Sequence, residues 1–396
     1  MNTPATQTRS RLASVDALRG LVMIIMALDH VREFFHRGAM SFSPEDLTRT
    51  TGVLFFTRWI THFCAPVFMF TTGLGAFFWY RRGRSKSELS GYLLRRGLWL
   101  VILDLTVLRF ALNFSLVSGV VILNVLWGLG WSMIALALLV HLPTRVLALV
   151  SVLVIALHNL ADPIQASQLG RAAWLWNVLH QLGVFSVGGV PVLAAYTLIP
   201  WIGVMSAGFC FGHILTLDEA ERRRWLVRIG AGMTLAFLVV RAVNVYGDPQ
   251  PWSTQVPGMT ALSFVRTSKY PPSLDFLLMT LGPAILLLAW FDRVKWSREN
   301  PLLVFGRVPL FYFIVHIYVI HAAAIPLALA TYGKAGFLRN VSPSLGGDPK
   351  LYPAGYGYDL WVVYVLWLAV VVALYLPCLW FARMKEQRKH AWLAYF

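Results

Sequence analysis

Apolar runs of about twenty residues alternate with short polar stretches along the whole chain. Ten stand out: residues 17–35, 54–79, 93–113, 117–139, 146–159, 193–215, 225–245, 274–291, 302–329 and 360–381. A hydrocarbon core takes roughly 20 helical residues to cross, and a spanning backbone must satisfy its own polar groups, which a helix does. The pattern therefore predicts an all-α, polytopic bundle of about ten transmembrane helices. It forms one membrane domain (15–381) between an N-terminal tail (1–14) and a basic C-terminal tail (382–396). Residues 172–190 are the place for an eleventh crossing; they read instead as an outer interfacial helix, with Trp174 and Trp176 at headgroup level. The stretch GVFSVGG that follows reads as a turn. Long segments 37–53, 247–272 and 331–358 suit lids over an opening. Residues 1–36 have the outline of a signal peptide, but no small-residue cleavage site follows, so the segment is expected to stay as the first helix.

Composition agrees. Of 396 residues, 58% are hydrophobic and 13% charged, and the mean hydropathy is +0.63, which excludes an ordinary soluble domain. A formal charge of +16 and a pI near 10.1 would suggest nucleic acid in a soluble chain. Here the Lys and Arg sit in short loops, so the lipid bilayer is the expected partner and nucleic acid is not. Twenty of them fall in alternate loops on the side of both termini and eight on the other, which predicts cytoplasmic N and C termini. Cys64, Cys210 and Cys378 lie within apolar runs at unrelated spacing and indicate neither disulfides nor a metal site.

The first run carries more charge than an anchor needs. It holds Asp16, Arg19, Asp29, His30, Arg32, Glu33 and His36, and each ionisable group at bilayer depth costs roughly 2.5–3.5 kcal/mol. Arg19 and His30 are eleven residues apart, hence about 20° apart in azimuth and roughly 16 Å apart along a helix. They share one face at two depths, which suits an anionic ligand near one surface and proton chemistry deeper in. A neutral imidazole oriented by a carboxylate such as Asp29 is a competent general base. Glu33 joins the same cluster. Arg58 and His62 are i and i+4, as are Tyr312 and His316, so each pair projects together. Both pairs read equally as structural. Arg307 stands where a guanidinium would grip phosphate or snorkel to headgroups. No metal motif or phosphate loop is present.

Several segments resemble a known family. The opening RLASVDALRGLVMIIMALDH, YTLIPWIGVMSAGFCFG (196–212), TSKYPPSLDFLLMTLGP (267–283) and GRVPLFYFIVHIYVIH (306–321) look like the bacterial branch of the heparan-alpha-glucosaminide N-acetyltransferase-like membrane proteins. The likeness runs over nearly the whole chain and is most specific in the first helix and in KYPPS. Arg, ten residues, then His, here Arg19 and His30, also resembles the wider transmembrane acyltransferase superfamily. The resemblance implies an acyl group, acetyl foremost, taken from cytoplasmic acyl-CoA and passed to an amine or hydroxyl of a sugar-like or envelope acceptor across a bacterial inner membrane. Acetyl-CoA is then a donor substrate, with no tightly bound cofactor. By position the resemblance makes His30 catalytic and puts Arg19 and Asp16 on the donor path.

The residues allow that chemistry. An imidazole serves as base or nucleophile; His316, Tyr312 or Arg58 are candidates to face the oxyanion, with His62 and Glu33 beside the substrate; Arg19 and Arg307 suit the donor phosphates. The interval of roughly 16 Å from Arg19 to His30 is about the reach of a pantetheine arm. Two alternatives use the same residues. One is a proton-coupled transporter or flippase for an anionic metabolite or lipid precursor; the other is a haem protein ligated by two of His30, His62, His316 and His321. A homo-oligomer fits any of these readings.

Overall fold

The computed structural model describes residues 4–115 and 119–388, with side chains from Ala13 onward. The ends of both predicted tails and the predicted start of the fourth run at Val117 lie outside the described residues. α1 (Pro4–Phe35) begins well inside the stretch expected to be a tail and is the axis of the bundle. Then come α2 (Gly52–Trp59), α3 (Cys64–Tyr80), α4 (Lys86–Leu103), α5 (Arg109–Asn113), α6 (Val125–Leu139), α7 (Thr144–Leu157), α8 (Ala173–Leu179), α9 (Leu198–Phe211), α10 (Glu219–Val243), α11 (Met259–Val265), α12 (Leu274–Phe291), α13 (Pro301–Arg307), α14 (Pro309–Tyr332) and α15 (Leu360–Gln387). Among the described residues seven helical segments are long and apolar enough to cross a membrane: Gly52–Tyr80, Thr144–Ala161, Leu198–Thr216, Glu219–Val243, Leu274–Phe291, Pro309–Tyr332 and Leu360–Gln387. α1 packs against α3, α12, α13, α14 and α15, and α4 lies along α6.

Three of the predicted runs are broken. A 3-10 turn at Ile60–Phe63 separates α2 from α3 and carries His62, and a π segment at Asp104–Leu108 interrupts the third run. The ninth run is two helices, because Pro309 has no N–H to give and forces Val308 out of helical geometry (φ −128°, ψ 48°). The break frees α13 to lie against α1. There the backbones touch: a Cβ on Gly306 would overlap the carbonyl oxygen of Asp16, and one on Gly20 that of Leu302. Small residues permit this approach, and it brings Arg307 to Asp16 and Arg19.

The expectation of an all-helical chain needs correction at one end. Where an interfacial helix was predicted over 174–189, only Ala173–Leu179 is helical; it is followed by a hairpin of β2 (Gly183–Val187) and β3 (Val190–Ala194). β3 pairs antiparallel with β2 and parallel with β1 (Val121–Leu123). The two-residue turn has positive φ at both Gly188 and Gly189, which side-chain-bearing residues rarely adopt. The sixth helix thus starts at Leu198 rather than 193. Leu123, Trp127, Val192, Ala194 and Leu198 form a small core that ties the sheet to the bundle.

Segments between α14 and α15 clasp the end of α1. Tyr356 Oη donates to Phe34 O (3.0 Å), Ser342 Oγ to Glu33 O (3.3 Å) and Tyr358 N to Phe35 O (2.6 Å). These occupy carbonyls that a helix end leaves unpaired and fix the turn carrying His30 and Glu33.

Candidate active site

Helical spacing puts His30 and Glu33 on neighbouring positions of α1, and His30 Nδ1 meets Glu33 Oε2 at 2.8 Å. A carboxylate accepts at this contact, so Nδ1 is the donor, which in a neutral ring leaves the lone pair on Nε2. The orienting carboxylate is therefore Glu33, not Asp29 as expected. Asp29 is taken by guanidinium groups: Arg32 Nη2 at 3.0 Å and, from α2, Arg58 Nη1. Arg58 also reaches Glu45 (3.9 Å), and His62 Nε2 lies 3.3 Å from Glu45 Oε1, off hydrogen-bond alignment. In Glu45, which lies in the loop between α1 and α2, burial raises the carboxyl pKa, but His62, Arg58 and Lys269 outweigh it and hold it at about 2.

His30 lines a chamber of about 80 Å³ together with Glu33, Thr61, Cys64, Asn124, Tyr196, Lys269 and Tyr270. Arg19 lines a vestibule of about 580 Å³ towards the basic end, with Asp16, Arg82, Arg96, Arg307 and Lys385, five cations to one carboxylate. Arg19 is held by Asp16 (3.4 Å) and by the carbonyl of Thr71. Trp79 and Tyr92 stack in the vestibule wall at 4.6 Å. The two cavities share Phe68, Val125 and Phe313. Away from the vestibule, a cleft of about 370 Å³ shares Glu33 with the chamber. At the basic end, a cleft of about 1130 Å³ shares Asp16 and Arg307 with the vestibule. Four cavities thus follow one another, each sharing wall residues with the next.

The candidates from the sequence divide accordingly. Asp16, Arg19 and Arg307 meet in the vestibule, and Asp29, His30 and Glu33 in the chamber. His316 stands behind His30, ring centroids 5.2 Å apart, with Nδ1 3.0 Å from Tyr312 O. It does not line the chamber, nor do Arg58, His62 and Tyr312. The reason for Tyr312 is rotation about α14: Phe313, one residue on, faces both cavities, which turns Tyr312 about 100° away onto Phe305 (4.9 Å). Those positions are unsuited to facing an oxyanion directly. Sequence reasoning had placed Lys269, Arg82, Arg96 and Lys385 among loop charges and passed over Glu45. Lys269 lies in the KYPPS stretch, and the folding back of that loop brings it to the wall of the chamber that His30 also lines.

This is a helical membrane bundle with a string of adjoining cavities, one of which holds an imidazole oriented by a carboxylate. The chain belongs to the heparan-alpha-glucosaminide N-acetyltransferase, catalytic family, whose match covers residues 11–247, more than half of its length. Family membership makes it a membrane acyltransferase. The matched region holds Asp16, Arg19, His30, Glu33, Arg58 and His62; Lys269, Arg307, Tyr312 and His316 lie beyond it. Among curated proteins none matches the chain.

Proposed function

We propose that the protein moves an acyl group, acetyl foremost, from cytoplasmic acyl-CoA to an amine or hydroxyl of a sugar-like or envelope acceptor on the opposite side of a bacterial inner membrane. The observation that carries this reading is the shared wall of Phe68, Val125 and Phe313: a basic vestibule and a chamber holding a base meet at one thin partition. Ten crossings are part of the reading, with α1, α4 continued through α5, and α6 added to the seven apolar helices. An even number agrees with Asp16, near the start of the bundle, and Lys385, near its end, lining the same vestibule.

Arg19 and Arg307 hold the donor's phosphates by charge-assisted bonds, and the thioester arm points through the partition. His30 Nε2 takes the proton of the acceptor as its nitrogen or oxygen bonds to the carbonyl carbon. The tetrahedral intermediate then collapses, the carbon–sulfur bond breaks, and the thiolate leaves with the proton from His30. Glu33 keeps the imidazole in the tautomer this requires.

The test is thiol release by protein purified in detergent, given acetyl-CoA and a panel of amino sugars and sugar alcohols. His30→Ala is expected to abolish release while the protein stays folded, and Arg307→Ala to raise the KM for acetyl-CoA. A transporter releases no thiol and needs a sealed vesicle. Absence of release with every acceptor, or a wild-type rate in His30→Ala, refutes the proposal.

A further inference from the structure

Lys269 lines the His30 chamber and is 8% exposed. Among the described residues its ammonium has no hydrogen bond and no ion pair within 4.0 Å, only the ring of Tyr270 at 5.2 Å from Nζ. The neighbouring carboxylates make their direct contacts elsewhere: Asp29 with Arg32 and Arg58, Glu45 with Arg58 and His62, Glu33 with His30. A buried cation without a counter-ion is strongly disfavoured, and a face of an aromatic ring offsets only part of that.

The loop does not let the side chain escape to water. Asp248 accepts from Ser268 N (2.7 Å) and from Ser273 Oγ (2.6 Å), and His158 Nε2 lies 2.8 Å from Pro272 O. Lys269 is thus held in place on both sides of its position. Rigid support for an unmatched charge is what a site needs when its partner ion arrives with the substrate.

We propose that Lys269 is the anion-holding group of the chamber, binding a negatively charged oxygen opposite the imidazole of His30. Resting on the acyl-transfer reading, that oxygen is the one formed when the acceptor attacks the thioester. As the new bond to the carbonyl carbon forms, the carbonyl electron pair moves onto oxygen and the acceptor's proton moves to His30. The charge on oxygen is lost again when the double bond re-forms and the carbon–sulfur pair leaves with the thiolate. A carboxylate or phosphate ester carried permanently by the acceptor offers the same chemistry to Lys269.

Lys269→Met and Lys269→Arg separate these sources. For a transient oxyanion, Lys269→Met lowers kcat by about 100- to 1,000-fold with every acceptor, leaves the acceptor KM unmoved, and Lys269→Arg restores part of the rate. For a permanent anion, Lys269→Met raises KM only for acceptors bearing a carboxylate or phosphate and spares kcat with neutral ones. Equal kinetics of Lys269→Met and wild type with both kinds of acceptor overturn the proposal. A second readout needs no turnover: acetate replacing chloride at constant ionic strength raises the unfolding temperature of the wild type and not of Lys269→Met. If acetate shifts neither protein, or both alike, the anion site is refuted even where thiol is released. If the acetate shift depends on Lys269 but no acceptor releases thiol, the acyl-transfer reading fails and the anion site stands.

Discussion

Glu33→Gln is the sharpest perturbation of the proposed chemistry, because it changes one oxygen for nitrogen at the 2.8 Å contact with His30 Nδ1. The carboxylate both fixes the tautomer and balances the positive imidazolium that forms during proton transfer. A glutamine keeps the shape but not the charge, and its amide presents either a donor or an acceptor to the ring. Hydrogen bonds to a charged group contribute about 1.5–3 kcal/mol, and 1.36 kcal/mol is a factor of ten in rate. The expected loss in kcat is therefore roughly 10- to 150-fold. Under the proposed function donor binding belongs to the vestibule, so the KM for acetyl-CoA should not move. The assay is thiol release at saturating acetyl-CoA, with unfolding temperature as the control for structure. An unchanged kcat in Glu33→Gln, alongside an inactive His30→Ala, would show that something other than Glu33 orients the imidazole. A loss confined to the donor KM would show that chamber and vestibule are not separate in function.

Two further outcomes follow from the packing and the loop between α1 and α2. Gly306→Ala places a methyl against the Asp16 carbonyl and is expected to cost about 1–3 kcal/mol of stability. Because it pushes Arg307 away from Asp16 and Arg19, acetyl-CoA affinity should fall with it, as read by unfolding and by direct titration. Glu45 has its carboxyl pKa lowered from 4.5 to about 2, so its stabilising contribution is complete above pH 4.5 and is lost as pH falls towards 2. The unfolding temperature of Glu45→Gln should therefore fall less steeply than that of wild type across that interval, and parallel curves would show that its contacts with Arg58 and His62 do not stabilise the fold.

What the sequence revealed depended on the range of the interaction. Membrane helices are local objects: length and hydropathy were enough to mark the helices of the bundle, and a 100° step per residue put Arg19 and His30 on one face of α1. Breaks within apolar runs are less visible, because Val308 and the turn at Ile60–Phe63 leave the hydropathy unchanged. Pro309 was the available sign of the first. The hairpin at 183–194 was masked by its apolar strands, although Gly188–Gly189 is a hairpin turn by residue type. In the site, the rivalry between Asp29 and Glu33 for His30 was settled by Arg58, which arrives from another helix and has no local signature. Lys269 required a fold-back of more than two hundred residues along the chain. The errors within the site therefore lie where a distant element decides a local choice, whereas the missed break and hairpin had local signs in Pro309 and Gly188–Gly189.

The partition of Phe68, Val125 and Phe313 has an electrical consequence under the proposed function. A continuous water column from one face to the other would let protons run down their gradient through a row of titratable groups. Three apolar side chains deny water a path, while asking only that a slender thioester slip between them. Carbon then crosses the bilayer's insulating layer without current, and enlarging this neck should first appear as a proton leak in sealed vesicles.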